Sequence, residues 1–62
     1  MPMSTGKWAV IRCGDEPESV GIRMLHEDRR GRLVVRWMRD WWVVEKNSEI
    51  RFRKSYVIVG RA

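Results

Sequence analysis

The sequence predicts an all-β domain, a small closed or nearly closed barrel of five or six strands with at most one helical turn. Three observations carry that expectation. Apolar and polar residues alternate with period two in several short runs. The runs are separated by Gly, Pro, Asn, Asp and Ser, the residues that supply turn geometry. No window offers the three-to-four apolar spacing that an amphipathic helix needs over about ten residues. Laid out as an open sheet, such strands would leave one apolar face in water, so the sheet has to curl onto itself.

The expected elements follow in order. Met1 to Gly6 reads as a short flexible lead-in and residues 7–62 as one domain, because a chain of 62 residues buries too little apolar area for two cores. Lys7 to Cys13 is rich in β-formers and sets Trp8 and Val10 on one face against Ala9 and Ile11 on the other. This strand should stop at Gly14, since Pro17, in the acidic stretch Gly14 to Ser19, has no N–H to give a ladder. Val20 to Glu27 places Val20, Ile22 and Met24 on one face and Arg23 on the other. Asp28-Arg29-Arg30-Gly31 then reads as a hairpin turn with Gly31 free to take positive φ.

Arg32 to Arg39 alternates most clearly, with Leu33, Val35 and Trp37 expected inward and Arg32, Val34, Arg36 and Met38 outward. A bend at Asp40 leads into Trp41 to Lys46. Asn47-Ser48 supplies the expected next tight turn, and Glu49 to Arg53 follows with Ile50 and Phe52 facing the core. Ser55 to Val59 closes the chain. A single helical turn, if present, belongs around Arg53 to Tyr56.

Composition narrows the function classes. The net charge is +5 and the pI about 10.4, and the charge is divided unevenly. Through Asp28 three bases meet five acids, a balance of −2; from Arg29 onward ten bases meet three acids, a balance of +7. Ten of the thirteen bases are Arg, whose planar fork suits phosphate. An anionic partner is therefore expected. Cys13 is the one cysteine, so no internal disulfide forms and a reducing compartment is favoured. The N-terminal residues lack a basic segment followed by an apolar run, and the expected location is cytoplasmic, with no membrane partner.

Catalytic parts are missing from the sequence. His26 and Cys13 each stand alone, no second carboxylate is fixed beside a first by a motif, and the five Gly are scattered at turns and in one strand. The expectation is no enzyme, no catalytic residue, no metal and no cofactor.

Two constellations remain. The basic one joins Arg29, Arg30, Arg32, Arg36 and Arg39 to Arg51, Arg53 and Lys54. On strands, Arg32 and Arg36 share a face, as do Arg51 and Arg53. Were the two strands neighbours, cations about 6–7 Å apart would line one sheet face and match successive phosphates. The bland alternative is a solvated outer wall whose charges prevent edge pairing. The aromatic constellation is Trp8, Trp37, Trp41, Trp42, Phe52 and Tyr56, more large rings than so short a chain can bury. Trp41 and Trp42 are adjacent, so on a strand one of them points outward, either to stack on a base or to lie as a lid. The acidic stretch Gly14 to Ser19 could orient a nucleic acid by repulsion, although a surface loop needs no such role.

The segment Val43-Val-Glu-Lys-Asn-Ser-Glu-Ile-Arg-Phe-Arg-Lys54 is similar to the strand, turn and basic strand of retroviral integrase C-terminal domains. More broadly, the order of strand, long polar loop, two hairpins and short last strand resembles the Src-homology-3-like barrels, a group that includes Tudor-type and chromatin-binding domains. The likeness covers roughly Gly21 to Arg61 and implies a binding module. The expected function is sequence-tolerant nucleic-acid binding through Arg29, Arg30, Arg32, Arg36, Arg39, Trp41, Trp42, Arg51, Arg53 and Lys54. The alternative is a protein-interaction module, such as a phage or mobile-element accessory protein docking on a host protein. With so thin a core, homodimerisation is a third expectation to test.

Overall fold

The computed structural model describes residues 1–14 and 19–62 and shows five strands closed into a barrel. They are β1 (Met3–Cys13), β2 (Ser19–Glu27), β3 (Leu33–Trp37), β4 (Asp40–Ile50) and β5 (Arg53–Arg61). Each strand pairs antiparallel with the next, and a parallel ladder from Val10↔Ser55 to Cys13↔Ile58 joins β5 back to β1. Following partners around the wall from Ser4 to His26, Val34, Val43 and Gly60 returns the path to β1 just beyond Cys13, a stagger of roughly ten residues. Strands with that much stagger are steeply tilted, which is how a five-stranded sheet of this size removes its edges. Among the described residues no helix is long and apolar enough to cross a membrane. Arg53 to Tyr56 is strand, with no helical turn.

The interior is filled by Ala9, Ile11, Leu25, Val35, Val44 and Tyr56, with Val20, Leu33, Trp42 and Ile58 packed around them. Ala9 and Ile11, which alternation places on one face, are the inward pair of β1. On β2 the inward residue is Leu25, while Ile22 is 43% exposed. This reverses the expected face. The cause is a bulge: Ile11 pairs with Gly21 but Arg12 pairs with Ser19, so Val20 is an extra residue and the parity of everything after it changes.

Val34, expected outward, has no exposed surface. The register seats it between His26 on β2 and Val43 on β4, and the His26 ring meets Trp41 edge-on at 4.9 Å on that side of the sheet. The outer wall therefore carries a small apolar cluster of its own.

Of two expected turns, one forms and the other does not. Asp28 to Gly31 forms the anticipated hairpin turn, with Gly31 at φ 77° and its N–H donating to the Asp28 carbonyl at 3.1 Å. Asn47-Ser48 makes no turn. Lys46 pairs with Tyr56 and Ser48 with Ser55, so Asn47 is an extra residue inside one long strand. The reversal comes instead at Arg51-Phe52, which leaves Phe52 98% exposed and not in the core. The turn that carried the integrase likeness is accordingly not formed. At the other end, β1 reaches back to Met3, which pairs with Glu27.

Candidate nucleic-acid interface

β3 and β5 are not neighbours; β4 lies between them. The basic residues expected on a common sheet face therefore separate into three groups, each set by one hairpin. Residues 15–18 of the acidic stretch lie outside the described residues.

Arg29, Arg30 and Arg32 occupy the β2–β3 turn around a shallow depression of about 470 Å³. Asp28 organises this turn. Its Oδ1 accepts the N–H groups of Arg30 and Arg32, both at 2.9 Å, and its Oδ2 accepts Nε of Arg32 at 2.7 Å. Partial desolvation pushes the Asp28 pKa up, but the hydrogen bonds from Arg32 and Arg30 together with the Arg32 charge outweigh it and hold the carboxyl below the usual value. The Arg32 guanidinium is thus engaged inside the turn, while Arg29 and Arg30 are exposed.

Arg36, Arg39, Trp41 and Trp42 belong to the β3–β4 hairpin. Trp41 is the outward ring of the adjacent pair, and its face is covered by Arg36, whose guanidinium carbon lies 5.6 Å from the ring centre. Trp42 turns the other way. Its indole N–H donates to the Trp37 carbonyl at 2.8 Å, the two rings pack at 5.9 Å, and Arg61 lies over the outer side at 5.4 Å while pairing with Asp40 at 3.3 Å. Trp42 is a lid on the barrel. Each ring thus already carries a guanidinium over one face.

Arg51, Arg53 and Lys54 stand at the β4–β5 turn, where the structure adds partners that the sequence reading did not assign to the site. A groove of about 770 Å³ runs between this turn and β1, bordered by Lys7, Trp8, Ile22, Phe52, Arg53 and Lys54 and floored by Leu25, Leu33 and Tyr56. Lys7 and Trp8 project there because β1 carries a wide bulge: between Ser4 and Trp8 three residues face the single Leu25 of β2. The Thr5 hydroxyl secures it, donating to the Leu25 carbonyl at 2.8 Å and accepting the Lys7 N–H at 3.2 Å. Trp8 is 64% exposed. Among the described residues, Arg32–Asp28 and Arg61–Asp40 are the ion pairs, so Lys7, Arg51, Arg53 and Lys54 have no carboxylate within 4 Å. Glu27 on the groove wall and Glu49, the cross-strand partner of Lys54, are the acids nearest in register.

Alternation set Trp8 opposite Ala9 and Ile11 without deciding which face is outward, and the exposure of Phe52 was not legible, because the reversal expected at Asn47-Ser48 falls at Arg51-Phe52. Among the described residues no three His, Cys, Asp or Glu side chains gather as a metal site. Comparison with known proteins finds no matching family model, no matching curated protein and no matching solved structure.

Proposed function

We propose that this barrel is a non-catalytic, largely sequence-tolerant nucleic-acid-binding module, gripping phosphates along the groove between β1 and the β4–β5 turn. The observation that carries the reading is that Lys7, Arg53 and Lys54 converge on this groove from two strands with no carboxylate among the described residues in pairing distance, whereas Arg32 and Arg61 are held in ion pairs and Arg36 lies on Trp41. Exposed cations clustered without ion-pair partners repel one another, and an anionic polymer relieves that repulsion while releasing its own condensed counterions. A closed five-stranded barrel is also compatible with the Src-homology-3-like class that the sequence resembles.

The test is an equilibrium titration with short oligonucleotides across a range of salt concentrations. Three phosphate contacts predict that log K falls with log salt at a slope of about −2 for a single strand, from roughly 0.7 per neutralised phosphate. Lys54→Ala and Arg53→Ala should each make the slope shallower by about 0.7 and weaken all sequences alike. No binding at low salt would sink the reading.

A further inference from the structure

Arg51 and Phe52 are the two central residues of a hairpin turn, with φ 47° and 68°. Positive φ at both positions is the geometry that favours Asn-Gly, because a side chain there crowds the backbone. A bulky aromatic is a poor choice for that site. Nor does the ring gain anything within the molecule, since Phe52 is 98% exposed. A strained backbone thus holds out a large apolar ring that touches almost nothing, beside unpaired cations and opposite Trp8, a second ring with most of its surface in water. The Met38-Arg39 turn shares the strain, so it is the exposed ring beside cations and a second ring that points to a ligand.

We infer that the groove's ligand is a single strand with unpaired bases, which stack on Phe52 and Trp8 while Lys7, Arg53 and Lys54 hold the intervening phosphates. The inference rests on the nucleic-acid reading above and specifies its ligand. Ring faces engage base faces, and in a duplex those faces are already stacked on one another; a duplex brings to this groove only its backbone and groove edges. Trp41 and Trp42 do not line this groove, and each carries a guanidinium, Arg36 and Arg61 respectively.

The turn allows a test in which folding and binding move in opposite directions. Phe52→Gly removes the ring and also relieves the positive φ, so the thermal midpoint should rise by a few degrees while affinity for an unstructured oligothymidylate falls about fivefold to a hundredfold. Affinity for a duplex of equal length should not change. Phe52→Trp should restore single-strand binding, and Trp8→Leu should weaken it. Met38→Gly, in the β3–β4 turn with φ 49°, is the control: Met38 is likewise an exposed apolar residue at positive φ, so the change should stabilise the fold and leave single-strand binding as it was. Equal affinity of the native chain for single strand and duplex, with Phe52→Gly indifferent to both, would overturn the inference and leave the nucleic-acid reading standing. Failure of the native chain to bind either would remove both, and would turn attention to the exposed Trp8, Ile22 and Phe52 as a protein-docking surface.

Discussion

Asp28 shows how one side chain can define a turn. Three hydrogen bonds converge on its carboxylate, and the carboxyl is held below its ordinary pKa. A depressed native pKa means that the stabilisation is complete above the unfolded-state value of about 3.9, and is lost as pH falls from there through the native value. Urea midpoints measured from pH 7 downward should therefore decline below about pH 4, and Asp28→Asn should flatten that decline. Ser55 is the opposite case. Its side chain has no exposed surface, and its hydroxyl has no hydrogen-bond partner. A buried hydroxyl without a partner keeps the cost of its lost hydration, so Ser55→Ala should be neutral or stabilise by up to about 1 kcal/mol in urea denaturation, where most buried substitutions destabilise.

The elements are ordinary strands interrupted by irregularities that place the functional residues. The bulge before Trp8 aims Lys7 and Trp8, the bulge at Val20 turns Ile22 outward, and the extra residue Asn47 moves the last reversal to Arg51-Phe52. Both two-residue hairpins carry a non-glycine pair at positive φ, Met38-Arg39 and Arg51-Phe52. Replacing Met38-Arg39 by Asn-Gly should stabilise the protein by about 1–2 kcal/mol, because each left-handed non-glycine residue costs on the order of 1 kcal/mol; the shift would be read as a higher denaturant midpoint with unchanged m. A fall in the midpoint would show that the Met38 and Arg39 side chains make contacts that offset the strain.

At the scale of the whole molecule, the barrel's stagger and order decide which charges act together. β4 separates β3 from β5, and the cations of the β2–β3 turn line a different depression from those of the β4–β5 turn. Arg29→Ala combined with Arg30→Ala should therefore leave the salt slope of binding almost unchanged, while Arg53→Ala combined with Lys54→Ala should reduce it by about 1.4. Equal losses from the two double variants would mean that the ligand wraps around the barrel instead of lying in one groove.

Much of this was legible in the residues themselves. Period-two alternation in Lys7 to Cys13 and Arg32 to Arg39 identified strands, the Asp28 to Gly31 tetrad identified its turn, and the lack of helical spacing together with the surplus of apolar faces implied closure into a barrel. Those features are local, or follow from counting apolar surface, and so depend on no long-range pairing. The bulges, the partner of each strand and the neighbours of each arginine were decided in three dimensions. One residue inserted opposite a gap reverses every face that follows it, as Val20 does for Ile22, and nothing in the inserted residue marks it. Phe52 is exposed, Val34 is buried and the cations are divided because strands distant in sequence set the register, and the energy of that choice resides in contacts the chain makes only once it has closed.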